Sequence, residues 1–453
     1  MENPSAPLES TSLDRFRFRK EFDHTVYYPT LNRALETFLA TYGDPEYGLV
    51  YHSPISEPGA FPTTEEIRAE IPNSQGWFTA IEDCSFLGPI LLGAISRSHC
   101  GLSPERRQEI GTLLFKGLVR LWEVPGTGFI ARGLNPGGGK EFYPNSSPDQ
   151  VPNYLRGVWE WARSGLATKE EQDKAQKIFV SVLSRLESYQ WELRRSDNEE
   201  GLPGSGNITH ASQRNSAQFL AMFAMAADLT GDSKWVEIFR QFRDEKDSIR
   251  LTFITSDDSP TWLPWQMELV IEALRVLQRL DSDPIAQLAY AKGIRRMGAL
   301  ASIHIAGYGL WSTPSRTPAP PVTLSLPPAI EARPDFRPGY RLGVELGLDL
   351  KTRFGQVMQG RIIEKLAVEN GDAPNDGRTP LSAHLFALSI VAQSGMPRSK
   401  DGVRVQSDTR DNWTLVAEDI LKKTAPDIPW NLGAVALACF FSAWECQAED
   451  PRY

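Results

Sequence analysis

The stretch SSPDQVPNYLRGVWEWARSGLATKEEQDKAQKIFVSVLSRLESYQ, residues 146–190, holds one full unit of this chain's architecture. Its first part, 149–164, reads as a helix suited to a place surrounded by protein. Its second part, 169–192, sets Ile178, Phe179, Val182, Leu183, Leu186 and Tyr189 at helical spacing along one stripe, which suits an outer helix with one wet face. Only SGLAT separates them, and Thr168-x-x-Glu171 supplies a capping box for the second.

The same pair recurs in both directions. CSFLGPILLGAI (84–95) is apolar on nearly every face and is followed by an amphipathic helix that opens at Ser103-Pro104 and carries Ile110, Leu113, Leu114, Leu118 and Leu121. Further pairs are 212–230 with 232–247, 262–280 with 284–302, where Asp283-Pro284 gives a cap and a first-turn proline, and a helix that starts at Thr379-Pro380 and runs through LSAHLFALSIVA (381–392) with 411–424. A last apolar helix, NLGAVALACFFSAW (431–444), completes six, and 27–42 packs beside it as its outer partner. Six apolar helices each followed or flanked by an amphipathic one predict an all-α fold, an (α/α)6 toroid, over 21–453 after an N-terminal tail at 1–20. An open α-solenoid and two separate helical domains compete with it, but no repeat of fixed period supports the solenoid.

Connections within pairs are short, whereas those between pairs, at 43–83, 123–148, 193–211, 248–261, 303–378 and, shorter, 425–430, are mostly long and rich in Gly, Pro and aromatic residues. All run from an outer helix into an inner one, so the pattern gathers them on one face, where a rigid scaffold carries its chemistry. The longest includes a Pro-rich insertion at about 304–350 whose prolines oppose helix.

Composition narrows the partners. The chain has 41% hydrophobic and 23% charged residues, enough to bury a large core, and a net charge of −9 with no dense Lys/Arg stripe. That disfavours nucleic acid and anionic membranes and leaves neutral ligands such as glycans, for which the 12 Trp and 12 Tyr offer stacking surfaces. No leader-like segment and no long apolar run is visible, and Cys84, Cys100, Cys439 and Cys446 form no C-x-x-C pair, so reduced thiols in a cytoplasmic protein are expected. No metal motif such as H-E-x-x-H occurs, and no metal or cofactor is expected.

Candidate site residues are the polar groups where the apolar helices begin. GWFTAIEDCS (76–85) brings Trp77, Glu82 and Asp83, which an acidic first turn would also explain. GFIARGLNPGGGKEFYPNSSPDQ (128–150) brings Arg132, Tyr143, Asp149 and Gln150; here Ser147-x-x-Gln150 reads as a capping box with Pro148 at the first helical position. GSGNITHASQR (204–214) adds His210 and Arg214, and Trp265 and Trp311 lie on the same side as sugar-stacking candidates. Two carboxylates facing one cavity are the minimum equipment for glycosidic cleavage, and Asp149 with Asp83 or Glu82 supplies such a pair from adjacent helices.

At GWFTAIEDCSFLGPILLGAI (76–95), GFIARGL (128–134) and SSPDQVPNYLRGVWEWARSGLAT (146–168) the chain resembles the six-hairpin glycosidase superfamily. The resemblance covers about 76–190 and implies carbohydrate hydrolysis, including action on uronic-acid-containing oligosaccharides through aspartates at inner-helix starts; Asp83 and Asp149 are the residues in those positions. The alternatives on the same scaffold are a sugar epimerase or isomerase using a pair among His210, His304 and His384, and a polysaccharide lyase using Tyr143, His210 and Arg132. A non-catalytic helical interaction protein is the third class.

Overall fold

The computed structural model describes residues 24–56, 59–71, 74–76, 79–197, 208–209, 212–256, 264–306, 380–394, 417, 421 and 431–449. Within them the chain is helical, with a single isolated bridge between Gly43 and Val50. A short 3-10 turn at His24–Tyr27 leads into α1 (Tyr28–Tyr42). Then come α2 (Thr64–Arg68), α3 (Cys84–Arg97), α4 (Pro104–Glu123), α5 (Gln150–Arg163), α6 (Lys169–Ser188), α7 (Gln213–Thr230), α8 (Ser233–Thr255), α9 (Pro264–Leu280), α10 (Pro284–Ala306), α11 (Pro380–Gln393) and α12 (Asn431–Glu449). The expected N-terminal tail, most of the Pro-rich insertion and most of the expected helix at 411–424 lie outside the described residues.

The apolar members of the pairs touch in order: α3 packs on α5, α5 on α7, α7 on α9, α9 on α11, α11 on α12, and α12 returns to α3. Their amphipathic partners lie against them, α4 on α3, α6 on α5 and α7, α8 on α7, α10 on α9 and α11, and α1 on α12. Burial follows the expected division. Every residue from Cys84 to Ser96 in α3 and from Gln150 to Ala162 in α5 is buried, whereas α6 buries only Ala175, Ile178, Phe179, Val182, Leu183 and Leu186.

Local signals position the helices. Thr168 and Glu171 form the reciprocal capping box of α6, Ser103 accepts from the Arg106 amide to cap α4, and Asp283 accepts from the Ile285 and Ala286 amides to start α10. Helix α8 leaves helical geometry at Glu245–Ser248, with positive φ at Lys246, Asp247 and Ser248, close to the end predicted at 247. Arg250 beyond that break pairs with Glu245 and lies over the rings of Phe219 and Phe242, docking the second piece on α7.

Helices α3 and α5 approach closely because Gly157 faces Pro89. A Cβ on Gly157 would sit 2.6 Å from the Pro89 Cα, so any side chain there would force the two helices apart. All four cysteines are free thiols. Burial is the main influence on the Cys100 thiol, which is pushed up to about 12. Among the described residues no helix is long and apolar enough to cross a membrane.

Candidate functional site

Residues at the starts of α3 and α5 converge on one carboxylate. Asp83 precedes α3 but makes no side-chain capping bond to it. Its Oδ1 instead accepts from Gln150 Nε2 at 2.9 Å and from Arg132 Nη2 at 3.2 Å, while its Oδ2 faces His52 Nδ1 at 3.3 Å. Arg132 is buried and holds three groups at once, donating also to the Glu82 carbonyl at 2.8 Å and to Ser147 Oγ at 3.0 Å. The loop that delivers it is tied to the same helix start, since the Ser85 amide donates to the Arg132 carbonyl. Glu82 reaches the same imidazole nitrogen, with Oε1 3.5 Å from His52 Nδ1.

Exposure separates the two acids. Glu82 is buried, whereas the Asp83 side chain keeps 25% of its surface open. Asp83 is therefore the member of the pair that meets solvent.

The expected capping box at Ser147 and Gln150 is not formed. The helix cap is Asp149, without a side-chain bond, and Ser147 accepts from Arg132 through its hydroxyl. Gln150 donates to Asp83 and accepts from Ser85 through its side chain, which is fully buried. A side chain that caps its own helix must turn back on the backbone; here Ser147 serves the buried guanidinium of Arg132 and Gln150 reaches across to Asp83 and Ser85 at the start of α3.

Four of the sequence-predicted residues, Glu82, Asp83, Arg132 and Gln150, are thus brought together, with Asp149 half-buried beside Gln150. Trp265 at the start of α9 meets Phe86 of α3 edge to face, 5.4 Å between ring centres, which sets it near the same end. Tyr143 stands apart. Its ring packs on Gly76 and its hydroxyl donates to the Ile71 carbonyl, so it is buried support for the loop and is not open to a ligand. Trp77, His210 and Trp311 lie outside the described residues, as does the side chain of Arg214.

Sequence reasoning missed His52. It lies in the connection between α1 and α2, thirty positions from its acidic partners, in no recognisable spacing, and only the fold brings it to them. Its backbone amide donates to the Ala80 carbonyl at 2.9 Å, which docks this strand-like segment against the turn carrying Glu82 and Asp83.

A second charged cluster lies toward the other ends of the same helices. Arg97, the last residue of α3, donates to Glu160 Oε1 of α5 at 2.6 Å and to both carboxylate oxygens of Glu272 of α9 at 2.5 and 2.7 Å. Arg156 donates to Glu160 at 3.1 Å and Glu272 at 3.2 Å. Glu268, one turn before Glu272, accepts from Ser389 and Gln393 of α11, both at 2.9 Å.

The titration of these groups follows from their neighbours. Burial pushes Glu160 up, but Arg97 and Arg156 outweigh it and hold its carboxyl below the ordinary range. Burial, reinforced by the charge of Glu272, holds Glu268 well above that range. Each of the two guanidiniums bonds both Glu160 and Glu272, so the cluster is closed on itself by charge-assisted bonds. A cavity of about 250 Å³ opens beside it, lined by Arg97, Trp159, Glu160 and Glu272 among others. With its charges so paired, this cluster acts as a polar tie between α3, α5, α9 and α11.

Compared with protein-family models, with curated proteins and with solved structures, the chain matches none.

Proposed function

We propose that this chain is a carbohydrate-active enzyme, an (α/α)6 toroid of the six-hairpin glycosidase type, that hydrolyses an oligosaccharide at the end where the inner helices begin. The cyclic order of contacts from α3 through α12 back to α3 supports the toroid. The observation that carries the function is the shared polar site of two adjacent helix starts, in which Gln150 of α5 and Arg132 of the long loop orient the half-exposed Asp83 of α3.

Glycosidic cleavage needs one carboxyl to protonate the leaving oxygen and another to attack the sugar or activate water. Asp83 and Asp149, at neighbouring helix starts, take these roles in this reading, with Glu82 buried behind Asp83 and Trp265 giving a ring on which a sugar can stack. Trp77, His210, Arg214 and Trp311 belong to the binding site on the sequence pattern alone. The net charge of −9 and the carboxyl groups of this site suit a neutral oligosaccharide.

The test is incubation with an oligosaccharide panel that includes unsaturated uronides, comparing wild type with Asp83→Asn and Asp149→Asn. Hydrolysis products from wild type and their loss by at least a hundredfold in both variants are expected. Full turnover by both variants would sink the two-carboxylate mechanism, and a product of unchanged mass would replace hydrolysis by epimerisation.

A further inference from the structure

We propose that His52, Glu82 and Asp83 form a binding site for a divalent cation of the zinc or manganese type. His52 Nδ1 lies 3.3 Å from Asp83 Oδ2 and 3.5 Å from Glu82 Oε1, and the three atoms all fall within 4.8 Å of one another. Two carboxylate oxygens converge on one imidazole nitrogen, so that three atoms of metal-ligating type surround one point. Ligands about 2.0–2.1 Å from a tetrahedral zinc stand about 3.4 Å from each other, which is the separation found along both edges that meet at His52.

The surroundings resemble those of a held ligand set. The oxygen of Asp83 that faces His52 is Oδ2, while Oδ1 is anchored from behind by Gln150 and Arg132, the kind of outer support that fixes a metal-binding carboxylate. His52 and Glu82 are buried and their backbones are tied, His52 N–H to Ala80 and Glu82 N–H to Thr79. The open positions of a bound cation would face the exposed side of Asp83. One imidazole with two carboxylates is a donor set that zinc and manganese accept.

This inference goes beyond the hydrolase reading, since a cation would make Glu82 and Asp83 ligands, and it is tested without any sugar. Metal-stripped protein is dialysed against Zn²⁺ or Mn²⁺ alone and the bound metal counted, with circular dichroism checking the fold of each variant. One equivalent per chain is expected for wild type and for Asp149→Asn, and at least tenfold weaker binding for His52→Gln, Glu82→Gln and Asp83→Asn. X-ray absorption on the zinc-loaded wild type needs no variant to fold and should show nitrogen and oxygen neighbours with one imidazole. Absence of stoichiometric uptake by folded wild type, unchanged affinity in the three variants, or sulfur in the zinc shell would each overturn the site. Failure to cleave any sugar counts against the hydrolase reading alone.

Discussion

Gln150, the first residue of α5, donates its side-chain amide across 2.9 Å to Asp83, the residue that precedes α3. The bond joins two elements whose chain positions are 67 residues apart, and it is made in full burial on the Gln150 side. It converts two helix starts into one polar site.

Gln150→Ala should therefore do more than shorten a helix end. It removes a donor from Asp83 and an acceptor from Ser85, and unsatisfied buried groups cost about 1–3 kcal/mol. A fall in urea stability of that size is expected, together with a loss of whatever reaction Asp83 serves. If Gln150 were only a first-turn residue, Ala would be neutral or better, so an unchanged unfolding midpoint would refute the assignment.

Glu272 is the hub of the charged cluster at the other end, accepting from Arg97 through both oxygens and from Arg156. Glu272→Ala leaves two guanidiniums short of a partner in a site where Glu272 itself is 3% exposed. Breaking a buried pair costs about 3–5 kcal/mol, and a loss in that range is expected by chemical denaturation. A loss below about 1 kcal/mol would show that water takes over the role of the carboxylate.

Glu268 sets a pH dependence of definite sign. Burial and then the charge of Glu272 raise its pKa in the folded chain well above that of an unfolded glutamate. The folded state thus holds this proton more tightly, so the stability it confers is full below the ordinary carboxylate range near pH ~4.3 and is lost as pH rises toward the raised value. Glu268→Gln carries a permanent neutral group and should flatten that part of the profile. Thermal melts of wild type and variant between pH 4 and 9 would test it: parallel profiles would contradict a raised pKa at Glu268.

Much of the helical plan was legible because it rests on local chemistry. The stripe from Ile178 to Leu186 and the box at Thr168 and Glu171 are set by residues within one or two turns, and both form as the sequence predicts. The site was half legible. Glu82, Asp83, Arg132 and Gln150 could be found because they sit where long loops enter apolar helices. His52 could not, since its role depends on a contact with a turn thirty residues away. Ser147 and Gln150 matched a capping pattern, but tertiary partners took their side chains, which no local pattern reveals. The inner cluster did leave a trace: Arg156 with Glu160, and Glu268 with Glu272, are charged pairs at i, i+4 inside helices that are otherwise apolar. Such charges must face one another when the helices are surrounded by protein.

The spacing of α3 and α5 supports both clusters, and it depends on a glycine. Helix propensity alone says that Gly157→Ala should stabilise α5 by about 1 kcal/mol. The added methyl would meet the Cα, Cβ and carbonyl oxygen of Pro89 at 2.6–2.7 Å, and these atoms, backbone or fixed in the proline ring, cannot turn aside. Overpacking of this kind costs about 1–3 kcal/mol, so the net effect is destabilising. Gly88→Ala is the control in the same region, because its methyl would find only Leu118 and Val50 side-chain atoms at 3.5 Å, an ordinary contact. The two substitutions should therefore move the melting temperature in different directions, down for Gly157→Ala and unchanged or up for Gly88→Ala. The shift that Gly157→Ala forces between the helices should also lengthen the Gln150–Asp83 bond, so its loss of activity should exceed that of Gly88→Ala. Equal melting temperatures for the two variants would mean that α3 and α5 are not in the close contact described.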